Sequence, residues 1–259
     1  MRDKKEVFAK KKFGQNFLHD KNIIQKIVSL VDVSGLNVVE IGPGRGAITK
    51  ELIKKVNKLT AYEIDQDMVK ILQNEIISDN FELIYKDFLK ADISNLDKSI
   101  VIANIPYYIT SDILFKIFEN RDKFTQAILM VQKEVAERLV ANYKTHDYSK
   151  LTVSAQFLSD VKIEFIVPSG CFVPAPKVDS AIISLKFKEG ITNQRWFELM
   201  DFFKLCFSNR RKKLSFALKS KYSIEQINSS FDKLGLNDNS RIQELKIEEI
   251  VRLYDYLKK

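Results

Sequence analysis

The chain is poor in the residues that carry most hydrolytic and metal chemistry. Its 259 residues include two histidines, His19 and His146, and two cysteines, Cys171 and Cys206. So few histidines leave little basis for a His-rich metal site or a Ser-His-Asp triad, and no metal is expected. The cysteines lie far apart with no Cys-x-x-Cys, which argues against structural zinc and for a reducing, cytoplasmic setting. No apolar run approaches the roughly 18 residues of a membrane span. The stretch from Met1 to Lys12 is charged and lacks the apolar centre of a secretory leader. No internal repeat or low-complexity segment interrupts the chain.

The composition itself is that of a globular protein able to bury a sizeable core, with 45% hydrophobic residues. The formal net charge is +8. Such an excess fits a polyanionic partner, nucleic acid first of all, but also a merely Lys-rich composition. Arg2, Lys4, Lys5, Lys10, Lys11 and Lys12 make residues 1–14 a basic arm, expected to be flexible.

Apolar periodicity then alternates. Asp20 suits the N-cap of a helix with Ile23, Ile24, Ile27, Val28 and Val31 on one face. Strands are expected at Asn37–Ile41, Leu59–Ile64, Phe81–Tyr85, Ser99–Ala103 and Gln126–Val131. Helices are expected at Ala47–Val56, Gln66–Ile77, through Ile113–Phe118, and over 134–141 and 149–158. Val161–Val167 and Ser180–Phe187 read as an antiparallel pair. This order implies an α/β protein, a Rossmann-like sheet with helices on both faces. Beyond Gly190 the pattern is helical throughout, with Gly235 suited to end one helix. A catalytic domain over 1–190 and a small all-helical domain over 191–259 are expected.

Three features at expected strand ends suggest a ligand site, because open α/β sheets bind ligands at that edge. The turn Glu40-Ile41-Gly42-Pro43-Gly44-Arg45-Gly46-Ala47 lets the backbone bend sharply and approach a ligand closely; it also matches a dinucleotide fingerprint. Glu63 ends the second strand, where a carboxylate can take both hydroxyls of a ribose. Asp87 follows the third and could accept an adenine amino group, with Phe88 against the ring. The fourth strand ends in Asn104-Ile105-Pro106-Tyr107. Asn-x-Pro is common in plain turns. It also suits the holding of an exocyclic NH2: the Asn104 amide oxygen and the Ile105 carbonyl both accept, Pro106 stiffens the turn, and Tyr107 offers a ring for stacking. A nucleoside cofactor beside such a clamp suits S-adenosyl-L-methionine better than NAD.

Together with Gln15-Asn16-Phe17-Leu18 and Phe172-Val173-Pro174-Ala175-Pro176-Lys177-Val178-Asp179-Ser180, these motifs occur in an order that resembles the ribosomal RNA adenine N6,N6-dimethyltransferases, the bacterial small-subunit (16S) type in particular. The resemblance runs from about residue 10 to the C-terminus. It implies cofactor contacts at Asn16, Leu18, Gly42, Gly44, Glu63, Asp87 and Asn104, with the Asn16–Leu18 segment closing over the cofactor. It implies that Asn104, Ile105, Tyr107 and Phe172 surround the target base. It also matches Arg210-Arg211-Lys212-Lys213 to a basic stretch that contacts RNA, where charge pattern alone would read a solvated helix start. The expected partner is small-subunit rRNA within a 30S precursor, and the expected state a monomer. The competing readings are a large-subunit (23S) methyltransferase of the antibiotic-resistance type, an assembly factor without catalysis, and an NAD-dependent oxidoreductase. The Gly14–Leu18 and Pro176–Ser180 motifs favour the small-subunit enzyme over the first, and intact Asn104, Glu63 and Asp87 argue against the second.

Overall fold

The computed structural model describes residues 9–258. A 3₁₀ turn at Lys11–Phe13 leads into a two-residue strand, β1 (Phe17–Leu18), and helix α1 (Lys21–Val28). As its sequence requires, α1 is capped by Asp20, whose carboxylate accepts from the Asn22 and Ile23 amides, and it buries Ile24, Ile27 and Val28. Then β2 (Asn37–Ile41), α2 (Thr49–Leu52), β3 (Lys58–Glu63), α3 (Gln66–Glu75), β4 (Phe81–Tyr85), β5 (Ser99–Asn104), α4 (Thr110–Glu119) and β6 (Phe124–Gln132) alternate. After α5 (Lys133–Leu139) and α6 (Lys150–Leu158) come β7 (Ser159–Val167), β8 (Phe172–Val173) and β9 (Ser180–Phe187).

Seven strands form one sheet in the order β4-β3-β2-β5-β6-β9-β7. The first five are parallel, and β9 runs antiparallel to β6. Central strands read as continuous apolar runs because both faces are covered: in β5 the whole of Ser99–Ala103 is buried. At the β7 edge the pattern changes to alternation, with Asp160, Lys162 and Glu164 exposed, charges of the kind that blunt an open edge. The expected pairing of 161–167 with 180–187 is present, but the chain between them leaves the sheet: β8 pairs with β1, Leu18 opposite Phe172. From β2 the chain builds outward through β3 and β4, then returns to begin the other half at β5. This reversal opens a crevice beyond the C-terminal ends of β2 and β5, the place where such sheets bind ligands.

The chain clusters into two compact units, one running through Ala136 and resuming at Lys162–Phe187, the other comprising Glu137–Val161 and the chain from Lys188 onward. A single cut near residue 190 is therefore a correction to make: α6 belongs with the C-terminal helices α7 (Asn193–Phe207), α8 (Leu214–Leu218), α9 (Ile224–Leu234) and α10 (Ile247–Leu257). The cause is aromatic packing. Phe157 of α6 stacks on Trp196 with ring centroids 6.5 Å apart and meets the edge of Phe203 at 5.9 Å, while Tyr148 meets Phe207 at 5.9 Å. Gly235 ends α9 in the left-handed conformation, φ 65°.

Candidate active site

A cavity of about 260 Å³ lies at the C-terminal ends of β2, β3, β4 and β5, covered by residues 13–18 of the N-terminal segment. Its floor is the turn after β2. Gly42 and Gly44 have φ of 68° and 56°, a region costly for any residue with a Cβ. A Cβ on Gly42 would meet nothing nearer than the Asn104 carbonyl oxygen at 3.9 Å, so the glycine leaves open space for a ligand. A Cβ on Gly44 would press on the Phe17 ring at 3.2 Å; that glycine admits the covering segment.

Three carboxylates line the cavity. Glu63 is buried, and its two oxygens accept from the backbone N–H groups of Gly44 (3.1 Å), Ile64 (2.9 Å) and Asp65 (2.8 Å). Burial raises its pKa, which those hydrogen bonds partly offset. Asp87 uses one oxygen to cap the turn after β4 through the Leu89 amide at 2.9 Å. Phe88 beside it is held edge-on by Tyr62 at 5.4 Å. Glu40 was not singled out from the sequence. It is 2% exposed, and burial first of all, with the Glu63 charge adding, pushes its pKa up to about 8. Its Oε2 has no hydrogen-bond partner; the Thr49 hydroxyl lies beside it without completing one. Only its buried place at the end of β2, directly before the glycine turn, could have marked it.

The structure brings Asn104, Ile105, Pro106 and Tyr107 to the cavity wall. The Ile105 N–H donates to the Met130 carbonyl at 3.1 Å, fixing the turn to β6. The Asn104 Nδ2 donates to the Asn16 carbonyl at 3.1 Å, so its amide oxygen remains for a ligand. Tyr107 is half-buried, which raises its pKa, and its hydroxyl lies 2.7 Å from the Ser180 hydroxyl. Ser180, the last residue of the Pro-Lys-Val-Asp-Ser motif, thus supports the tyrosine, a role sequence reasoning did not assign. Asn16 and Leu18 line the cavity.

Three expectations need correction. Phe172 does not line the cavity; it is 2% exposed in the core, where strand pairing places it opposite Leu18. The arm is not free where it is described. Lys10 bonds Asp65 and Asp67, each at 2.5 Å, and Gln15 donates to Asp65 at 2.8 Å; Arg2, Lys4 and Lys5 lie outside the described residues. Arg210 points its guanidinium at the Tyr148 carbonyl (3.1 Å) and the His146 carbonyl (2.5 Å), a structural use. Arg211, Lys212 and Lys213 instead line an open hollow with Lys219, Arg241 and Phe216, which is 51% exposed. Among the described residues, no cluster of His, Cys, Asp and Glu could hold a metal ion, and no helix is long and apolar enough to cross a membrane.

Residues 7–259 match the family model described as ribosomal RNA adenine dimethylase. The chain belongs to the ribosomal RNA adenine dimethylase family. Relatives called ribosomal RNA small subunit methyltransferase A include one from Mycoplasmopsis synoviae, 51% identical over 96% of this chain and 97% of its own. One from Mycoplasmopsis pulmonis is 50% identical over 95% of this chain and 98% of its own. Among solved structures, a dimethyladenosine transferase from Plasmodium falciparum superposes with a TM-score of 0.81 at 27% identity, covering 92% of this chain and 95% of that one. The 23S rRNA methyltransferase ErmE gives 0.69 at 28% identity over 94% and 100%. Membership makes the chain an S-adenosyl-L-methionine-dependent rRNA adenine methyltransferase. The cavity fits that cofactor on its own terms. The space beyond Gly42 admits a ligand, Glu63 and Asp87 offer acceptors, and the unpartnered Oε2 of Glu40 is a buried polar atom at the same wall.

Proposed function

We propose that the chain dimethylates N6 of two adjacent adenosines in the 3′-end hairpin loop of small-subunit (16S) rRNA, acting as a cytoplasmic monomer on a 30S precursor. The observation that carries the reading is the Asn104–Tyr107 turn, with its amide oxygen turned to a cavity of nucleoside-binding character. Glu63, Asp87 and the backbone at Gly42 and Gly44 hold the cofactor, with Asn16 and Leu18 over it. When bound, the cofactor supplies an electrophilic methyl group.

Adenine N6 is a poor nucleophile because its lone pair is delocalised into the ring. Asn104 Oδ1 and the Ile105 carbonyl accept its two N–H bonds and favour a pyramidal nitrogen with a directed lone pair. Tyr107 stacks the base while Ser180 fixes its ring. Catalysis here is positioning and electrostatics rather than proton abstraction by a dedicated base. Extruding the base costs a few kcal/mol, least in a loop where it is already unpaired. In the second unit, Arg211, Lys212, Lys213, Lys219 and Arg241 face rRNA phosphates.

The test is primer extension across the 3′-end hairpin after incubating the protein and S-adenosylmethionine with undermethylated 30S particles, and in parallel with naked large-subunit RNA. Two adjacent stops on 30S RNA alone are expected. Stops on the large-subunit RNA instead would overturn the reading in favour of a 23S enzyme.

A further inference from the structure

An asparagine amide can present either end. To hold an amino group, Asn104 must turn Oδ1, not Nδ2, towards the cavity, and only a partner for Nδ2 can decide that. The partner is the carbonyl of Asn16, 88 residues away in the chain. It belongs to the N-terminal segment, which contributes no strand to the seven-stranded sheet. That segment is held by specific polar contacts. Gln15 Nε2 donates to Asp65 Oδ2 at 2.8 Å, and its Oε1 accepts from the Lys10 N–H at 2.8 Å. Lys10 Nζ bonds both Asp65 and Asp67. Asp65 is itself held by its surroundings: its side chain is 1% exposed and its Oδ1 accepts from the Asp67 amide at the start of α3. On the other side of Gln15, Gly14 lies against the Tyr108 ring, where an added Cβ would come within 3.1 Å.

We propose that Gln15, anchored with Lys10 on Asp65, is a positioning residue for methyl transfer: it fixes the Asn16 carbonyl, which orients the Asn104 amide with its acceptor towards the target amino group. The N-terminal strap is thus part of the acceptor site and not only a cover for the cofactor. With the strap undocked, Asn104 presents donor and acceptor alike, and a donor facing an NH2 repels it. The proposal rests on the reading of Asn104 as the amino acceptor.

The experiment measures single-turnover methylation of 30S particles at saturating cofactor, with cofactor affinity by calorimetry and 30S affinity in parallel. Gln15→Ala removes a hydrogen bond to a charged partner, so the rate is expected to fall about tenfold, with 30S affinity unchanged. Gln15→Glu sets two carboxylates against each other and should lose as much. Adding Asp65→Asn to it restores a donor–acceptor pair and should recover most of the rate. The deciding background is Asn104→Asp, in which both side-chain oxygens accept and no orientation is needed. There, Gln15→Ala should cost nothing further. An equal loss in both backgrounds overturns the proposal, since the strap would then act elsewhere. A full rate for Gln15→Ala overturns it too. A full rate for Asn104→Ala, by contrast, identifies the underlying reading of Asn104 as the one that failed.

Discussion

Glu40 and Glu63 stand at the ends of adjacent parallel strands, yet their surroundings differ. Glu63 has three backbone donors; Glu40 has an oxygen with none. For Glu40 the folded pKa of about 8 lies above the ordinary 4.5. Between those values the unfolded chain is ionised while the folded protein keeps the proton, so this group's contribution to stability falls as pH rises through that window and levels off above it. Glu40→Gln is expected to stabilise the ligand-free protein, more at pH 8 than at pH 5, as read by urea titration at both. Glu63→Ala should weaken S-adenosylmethionine binding about tenfold or more, the value of hydrogen bonds to a charged acceptor; unchanged calorimetric affinity in a folded variant would refute the assignment. That Glu63, Asp87 and Asn104 line the cavity was legible in the sequence because a polar residue closing an apolar strand is conspicuous. Glu40 was not, being one more residue of the turn motif. Phe172 misled because a motif aromatic looks available until strand pairing with Leu18 buries it. Arg210 misled because charge clustering says nothing of the carbonyls a guanidinium will find.

At the scale of elements, strand positions agreed with expectation to within a residue or two, since unbroken apolar runs are hard to mistake. Helices were less legible. The expected Ala47–Val56 helix reduces to Thr49–Leu52, for the glycine turn extends into its start and Lys55 closes back on Leu52 with an i to i+3 bond. The excursion of β8 from the sheet to pair with β1 had no local signal, because a two-residue strand has no periodicity. That part of the chain matters to the site through the Ser180–Tyr107 contact, which ties β9 to the turn after β5. Tyr107→Phe should cost about 0.5–1.5 kcal/mol of stability, the net worth of one hydrogen bond. It keeps the ring, so its methyl-transfer rate should stay well above that of Tyr107→Ala. Equal rates for the two variants would show that the hydroxyl, not the ring face, is what the reaction uses.

For the whole molecule, the net charge of +8 pointed to nucleic acid without saying where. The proposed location is the hollow around Phe216, where Lys212 Nζ lies 3.8 Å from the ring centroid. Replacing Arg211, Lys213, Lys219 and Arg241 with Ala should weaken 30S binding and flatten the slope of log affinity against log salt by about 0.7–0.9 per lost phosphate contact. Cofactor affinity should not change, as none of the four lines the cavity. Arg210→Ala should behave differently, lowering the melting temperature through its lost carbonyl contacts while leaving the salt slope nearly intact. An unaltered slope in the quadruple variant would place the RNA grip elsewhere.

The second unit is assembled from two separate stretches, Glu137–Val161 and the chain from Lys188. During synthesis α6 emerges long before Trp196 and Phe203, so Phe157, whose ring packs on both in the finished protein, waits without those partners while β7, β8 and β9 are made. Such exposed apolar surface is what chaperones recognise and what aggregates. A fragment ended at residue 190 leaves that surface bare permanently. It should collect in inclusion bodies, whereas a fragment that also replaces 137–161 with a short polar linker should stay in the supernatant and keep its affinity for S-adenosylmethionine.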